Sequence, residues 1–198
     1  MAINTACAVI FYSHLTTLQV VASAEIPICW ALAMYPFLFR SKQQKARESV
    51  IEPKARWGIA LQIVAFVLVS IIRFEPKPEG VLVAAIAVMP LSAWLGWRAV
   101  MHLGKQWRFQ AGLYSDHELV RAGPYKVVRH PIYVALLGML IGTGLVVSWW
   151  PIVILASALF IAGMEIRIHA EDALLADRFG EAFEKYRATV AAYIPFLR

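Results

Sequence analysis

Five stretches of predominantly apolar residues, separated by polar segments of unequal length, organise the chain. They run from about Leu18 to Phe39, from Trp57 to Ile72, from Val81 to Met101, from Pro131 to about Val147, and from Trp150 to about Ile166. A membrane-crossing helix needs roughly 20 mainly apolar residues, fewer where interfacial side chains extend its ends. The pattern therefore predicts an all-α, polytopic membrane protein with about five transmembrane helices. Residues 1–17 are also apolar but include Asn4, Ser13, His14, Thr16 and Thr17, which suits an interfacial helix or an extension of the first span.

The connections set the expected topology. Arg40–Arg56 carries Arg40, Lys42, Lys45, Arg47, Lys54 and Arg56, and Arg98–His130 carries Arg98, Lys105, Arg108, Arg121, Lys126 and Arg129. The alternate connections are poor in base: Glu75–Gly80 has only Lys77, and Ser148–Trp149 has none. Basic connections stay in the cytosol. The two basic loops and the C-terminal region are thus expected inside, and the N-terminus outside. Ser148-Trp149-Trp150-Pro151 is so short that the fourth and fifth spans must form an antiparallel pair. Gly138, Gly142 and Gly144 are small enough to let helices approach closely within the membrane.

Composition agrees with lipid as the solvent. Hydrophobic residues make up 60% of the chain and charged residues 16%, and the mean hydropathy is +0.62; a soluble domain is nearer half apolar and a quarter charged. The net charge of +6 is spread between hydrophobic runs, the place of membrane-flanking charge, and gives no reason to expect nucleic acid. Cys7 and Cys29 lie in apolar sequence away from His or acidic clusters, so they read as small buried hydrophobes rather than a disulfide or metal pair. No cleavable leader is expected, since a basic n-region and a small-residue cleavage site are both missing.

Two polar clusters flank the hairpin. The first, Gln110 to Tyr133, reads QAGLYSDHELVRAGPYKVVRHPIY. Gly123-Pro124 signals a turn, and Pro131 suits the first position of a helix, where its missing N–H costs nothing. The other N–H groups at that helix start are able to receive an anion, and Tyr133 follows one turn in. Taken singly, each of these residues is equally at home as an interfacial anchor; the string as a whole is unusual for that purpose. The second cluster, Arg167 to Tyr186, places Arg167 and Glu171 four apart on one helical face, with Leu175 and Phe179 continuing it. Exposed, such a pair contributes only about 0.3–0.5 kcal/mol; at membrane depth, ionisable groups are costly and usually functional. Glu25, inside the first span, is expected near an interface or satisfied by a neighbouring helix, and is given no role.

From roughly Met101 to Pro195 the sequence resembles the isoprenylcysteine carboxyl methyltransferases and their prokaryotic relatives. The resemblance rests on His117-Glu118-Leu119-Val120, Gly123-Pro124-Tyr125, Arg129-His130-Pro131-Ile132-Tyr133, then Arg167, Glu171-Asp172, Leu175, Phe179-Gly180, Tyr186 and Pro195. Asp172 stands where the family usually has a second Glu, and Phe183 where a Tyr is common. The N-terminal half matches in hydropathy only. The chain thus divides into 1–100, three transmembrane helices with the basic loop 40–56, and 101–198, a methyltransferase core.

The resemblance implies a cytosolic site for S-adenosyl-L-methionine contacted by Gln110, His117, Glu118, Leu119, Val120, Tyr125, His130, Pro131, Ile132, Tyr133 and Glu171. Arg167 would hold the methyl acceptor, for which the resemblance suggests the carboxylate of an S-isoprenylcysteine or similar lipophilic acid arriving from the bilayer. No metal, covalent nucleophile or obligate protein partner is expected. Other acceptors remain open, namely a phospholipid amine, a thiol or another hydrophobic molecule. A more distant likeness is to membrane sterol reductases, and a non-enzymatic scaffold or permease-like protein would leave both polar clusters unexplained.

Overall fold

The structure is a computed structural model that describes residues 16–41, 49–51, 53–71, 76–107, 112–114 and 118–194. Among the described residues six helices make up its body: α1 (Thr17–Ser41), α2 (Ala55–Val69), α3 (Glu79–Leu103), α4 (Pro131–Val147), α5 (Trp150–Phe179) and α6 (Glu181–Thr189). The all-α architecture expected from the sequence is observed. One addition is a ribbon of two three-residue strands, β1 (Ser49–Ile51) and β2 (Gly112–Tyr114), paired antiparallel with Val50 opposite Leu113. The ribbon joins the two basic loops and so puts them on one side of the helices, as alternating topology requires.

The first segment of α1 (Thr17–Leu38), α3 and α5 are long and apolar enough to cross a membrane, and α2 and α4 are shorter apolar helices. The chain is an integral membrane protein. Its polarity is inverted relative to a soluble fold, with Val20, Ile28, Leu32, Leu91, Trp94, Ile154 and Leu155 exposed on the outer faces. Helices are the natural solution there, since every backbone group in hydrocarbon has to be bonded within its own segment.

Two packing groups share α4. Ala22 and Cys29 of α1 and Leu82 and Met89 of α3 meet Met139 and Val146 of α4. Ala65 and Val69 of α2 and Phe160 and Met164 of α5 meet Tyr133 and Leu140 on other faces of α4. A helix apolar on all sides belongs in the middle of a bundle, and α4, with its run of Leu, Ile, Val and Gly, takes that place. Trp30 Nε1 of α1 donates to Thr143 Oγ1 of α4 at 3.1 Å. On the opposite side from the ribbon, Lys77 Nζ donates to the Ser148 carbonyl at 2.6 Å, tying the connection before α3 to the α4–α5 turn.

The hairpin expected around Ser148 and Trp149 is present, but its glycines serve other neighbours as well. A side chain at Gly138 would run into Ser92, and one at Gly142 into Met89, both on α3; Gly144 faces Val69 of α2 and Val153 of α5. The closest crossing lies elsewhere, between α2 and α5, where a Cβ on Gly58 would stand 2.5 Å from the Gly163 carbonyl oxygen and one on Gly163 2.6 Å from the Gly58 carbonyl oxygen. The fifth span also overruns its expected end near Ile166. α5 is 30 residues long, about 45 Å at 1.5 Å per residue, so its last turns rise beyond a hydrocarbon core of roughly 30 Å. Arg167 and Glu171 do not interrupt it because they face inward, and the helix stops at Gly180, whose φ of 50° suits glycine. Among the described residues Glu25 meets Cys29 Sγ of its own helix, 3.9 Å from its Oε1, and its Oε2 has no hydrogen-bond partner. Cys29 is buried, as expected; Cys7 lies outside the described residues.

The α2–α5 crossing generates a test. Gly163→Ala meets backbone and is expected to cost about 1–3 kcal/mol, the usual range for overpacking. Gly142→Ala meets Met89 Cγ, a side-chain atom that can shift where backbone cannot, and is expected to cost less. Thermal unfolding in detergent orders the two; an unfolding temperature lower for Gly142→Ala than for Gly163→Ala contradicts this account.

Candidate active site

The site grows from the start of α4. Gly123, at φ 60°, begins a 3₁₀ turn, Gly123–Lys126, that brings Tyr125 under the helix bundle; a Cβ at Gly123 would strike the His102 ring. The chain then straightens through Arg129 and caps α4 with His130, leaving Pro131 at the first helical position, as its missing N–H favours. A segment following α6 holds this approach in place. The Arg129 N–H donates to the Ala191 carbonyl at 2.8 Å and the His130 N–H to the Ala192 carbonyl at 2.9 Å. Tyr186 Oη donates to the Tyr125 carbonyl at 2.6 Å. Burial raises the Tyr186 phenol to about 12, so it remains a donor at any physiological pH.

Opposite this approach stands the inner half of α5. His130 Nε2 lies 2.9 Å from Asp172 Oδ1 and its Nδ1 3.4 Å from Glu171 Oε2. The two carboxylates facing its two ring nitrogens favour the doubly protonated imidazolium. Burial works against that charge, but the hydrogen bonds and fields of Asp172 and Glu171 outweigh it and raise the His130 pKa above its ordinary value. Asp172 Oδ2 also accepts from Arg129 Nη2 at 2.9 Å, while Arg129 Nη1 donates to the Val190 and Arg187 carbonyls. Glu171 Oε1 accepts from the Tyr133 hydroxyl and lies 3.7 Å from Arg167 Nη2. Arg167 is 7% exposed. Its guanidinium sits 5.1 Å from the Tyr133 ring centre, within cation–π range, and donates from Nη1 to Gln62 Oε1 at 3.3 Å. The Arg167–Glu171 pair is therefore part of a buried network, not a solvated helix face.

These groups wall a cavity of about 630 Å³, within the size range of small-molecule sites. Of the residues the sequence singled out, Glu118, Leu119, Val120, Tyr125, His130, Pro131, Ile132, Tyr133, Arg167 and Glu171 all line it. Gln110 and His117 lie outside the described residues. The anion-receiving role expected for the start of α4 is reduced, since the Tyr133 N–H donates back to the His130 carbonyl at 3.2 Å. Glu171 also has less capacity for a ligand than expected, because Tyr133, His130 and Arg167 already surround its two oxygens.

Four contributors were given no role by the sequence reading. Arg129 and Asp172 form the base of the ion network; both are adjacent to residues that were singled out, and the paired spacing Arg129-His130 and Glu171-Asp172 was the signal available. Gln62, on α2, lines the cavity and is buried, and a polar residue inside an apolar span was its signal. The apolar wall, Trp30, Met34, Phe37 and Phe66 with others, comes from α1 and α2, where nothing distinguishes it from lipid-facing sequence. Leu38 and Ile63 line the cavity and are also exposed, so this wall reaches the outer surface of the bundle. Glu118, exposed, marks the polar edge.

Fold and cavity define an integral membrane protein with a buried ion network facing an apolar chamber. Residues 83–177 match the isoprenylcysteine carboxyl methyltransferase (ICMT) family, and the chain resembles that family across this segment. The chain is 35% identical over 83 residues to a protein-S-isoprenylcysteine O-methyltransferase of Schizosaccharomyces pombe, covering 42% of the chain and 35% of the relative. A Tribolium castaneum protein of the same name is 36% identical over 86 residues, 42% of the chain and 30% of the relative. The cobalt-zinc-cadmium resistance protein CzcN of Cupriavidus metallidurans is 30% identical over 146 residues, 72% of the chain and 64% of the relative. The chain thus spans about a third to two thirds of the length of these relatives. Among the described residues no group of three His, Cys, Asp or Glu side chains is placed to hold a metal ion.

Two outcomes follow from the network. Asp172→Asn leaves Arg129 and His130 facing a neutral amide, and breaking one partner of a buried pair costs about 3–5 kcal/mol; an unfolding temperature equal to that of the unsubstituted protein would show the pair to be dispensable. His130 binds its proton more tightly folded than unfolded, so its contribution is complete below the ordinary His range and is lost as pH rises through the raised folded value. Unfolding temperatures measured across that window are expected to decline for the wild type and to decline less for His130→Gln. Parallel profiles would remove His130 from the pH dependence.

Proposed function

We propose that the protein is an S-adenosyl-L-methionine-dependent methyltransferase acting on the carboxylate of a lipophilic acceptor, an S-isoprenylcysteine or a similar lipid-substituted acid. The observation that carries this reading is one cavity that has the buried Arg167 guanidinium and its ion network at one end and an aromatic, aliphatic wall open to the bilayer at the other. A ligand with an anionic head and a hydrocarbon tail matches both ends. The named activity of the relatives from Schizosaccharomyces pombe and Tribolium castaneum agrees with it.

The residues present fit the cofactor. The chamber is large enough for a small molecule, Glu118 supplies a carboxylate at its polar edge, and Tyr125, Ile132 and Tyr133 supply apolar and aromatic surface. S-adenosyl-L-methionine, when bound, supplies an electrophilic sulfonium methyl group, toward which an ionised carboxylate needs no base. Arg167 would bind that carboxylate through parallel N–H groups, a geometry Lys cannot copy. Glu171, His130 and Tyr133 would hold Arg167 and the cofactor surface in register. Alignment of two reactants is worth up to about 7–11 kcal/mol. The wall from α1 and α2 would take the lipid tail and exclude water. The site is assigned to the cytosolic side, on the basis of the basic loops joined by the ribbon.

Arg167→Lys is expected to fold and to lose at least about tenfold in turnover, roughly 1.4 kcal/mol of transition-state stabilisation, with cofactor affinity retained. Normal turnover in this variant would take Arg167 out of the acceptor role. Glu171→Gln and His130→Ala are expected to weaken S-adenosyl-L-methionine binding by calorimetry in detergent, and unchanged affinity would count against the site. The acceptor class is read by offering labelled cofactor with N-acetyl-farnesylcysteine, phosphatidylethanolamine and a simple thiol in parallel. Label in the carboxylate supports the assignment, whereas label confined to the lipid amine reverses it.

A further inference from the structure

On α1, α2, α4 and α5 the lining of the chamber stops at one level. Counting away from the ribbon, the last lining positions among the described residues are Trp30, Phe66, Leu136 and Phe160. Three of the four are aromatic, and their rings meet. The ring centres of Trp30 and Phe66 are 5.1 Å apart and those of Phe66 and Phe160 5.7 Å apart, both edge to face, an arrangement that aromatic pairs prefer. Trp30 is also held from the far side: its Nε1 donates to Thr143 Oγ1 at 3.1 Å, and Thr143 is not part of the lining. Beyond this layer the bundle is filled, with Val69, Leu140 and Ala156 buried in contact with one another's helices. The chamber therefore has a floor made of three rings from three helices.

The depth of that floor can be read along α5. Phe160 and Arg167 both line the chamber and lie about two turns apart on the same helix, roughly 10 Å at 1.5 Å per residue. The exposed lining residues Leu38 and Ile63 sit on turns nearer the ribbon than Trp30 and Phe66. The lateral opening thus lies above the floor. A tail that runs down the chamber from a head group at Arg167 meets the rings at a fixed distance.

We propose that Trp30 is a specificity-determining residue for the length of the acceptor's hydrocarbon tail: braced by Phe66 and bonded to Thr143, it closes the chamber at a set depth from Arg167. This rests on the lipophilic-acceptor reading. Trp30 and Phe66 belong to α1 and α2, outside the segment matched to the methyltransferase family, so the matched segment alone does not set this depth.

The experiment uses N-acetyl-geranylcysteine, N-acetyl-farnesylcysteine and N-acetyl-geranylgeranylcysteine in detergent. It measures kcat/KM with S-adenosyl-L-methionine and, separately, the calorimetric affinity for each acceptor. The wild type is expected to discriminate against the longest tail. Trp30→Ala opens the floor and is expected to raise the geranylgeranyl-to-geranyl ratio about tenfold or more in both quantities, with cofactor affinity unchanged. A bundle that is merely looser lowers all three acceptors alike and leaves the ratio where it was. A ratio unchanged in Trp30→Ala overturns the proposal. So does a wild type that takes all three tails equally, the result expected of a tail that leaves between α1 and α2 into the bilayer. Should Trp30→Ala fail to fold, Trp30→Leu, which keeps more of the volume, is read by the same criterion. A wild type that binds the series with a length preference but methylates none of it refutes the acceptor reading and keeps the floor, whereas methylation without a length preference does the reverse. Binding of none of the three refutes both.

Discussion

Taking five ionised side chains out of water is expensive, and each ion must recover its hydration from partners. The cluster of Arg129, His130, Arg167, Glu171 and Asp172 recovers it through a chain of contacts that no single helix can supply. Arg129 and His130 come from the approach to α4, the two acids and Arg167 from α5, the supporting amide from α2, and further carbonyls from the segment after α6. The approach to α4, α5, α2 and the segment after α6 are thereby held together by charge and hydrogen bonds at one level of the bundle, whereas α1 walls the cavity with apolar side chains alone. Above that level the helices pack by shape, with hydrogen bonds from Trp30 to Thr143 and from Lys77 to the Ser148 carbonyl added.

The division of labour between the two halves of the chain follows from this. Residues from the C-terminal half supply charge and hydrogen bonds; α1 and α2 supply volume, apolar surface and one amide. The cavity is built from both sides of the boundary drawn near residue 100 from the sequence. α4 carries the join, packing against α1 and α3 on some faces and α2 and α5 on others. Its glycines are therefore constraints on three neighbours rather than on its hairpin partner alone.

Much of this was legible in the chain because the membrane simplifies the code. Hydropathy located all five apolar helices, with α4 bounded at Pro131 and Val147 as read, and Pro131, Gly123-Pro124 and the short Ser148-Trp149 link each shaped the backbone as their chemistry requires. The clusters around His130 and Arg167 were visible as polar residues at the ends of two spans. What could not be read was partnership. Whether Glu171 or Asp172 meets His130 depends on the rotation of α5 about its axis, and both do. The span read as ending near Ile166 and the helical face read through Arg167, Glu171, Leu175 and Phe179 are one unbroken helix, because a charge facing a cavity does not end a helix. Gln62 carries no signal beyond being polar in apolar surroundings until α2 and α5 are seen to cross at Gly58 and Gly163.

The strap formed by residues 190–192 bears on the order of assembly. Arg129 takes a carbonyl from Val190, 61 positions later in the chain, and the backbone of His130 takes one from Ala192. During synthesis the α4–α5 hairpin is inserted before that strap has emerged, so the nascent bundle has its helices in place while the floor of its chamber is still unfinished. The last contact to form is a set of main-chain bonds at the water-facing end, where no lipid has to be displaced to make it.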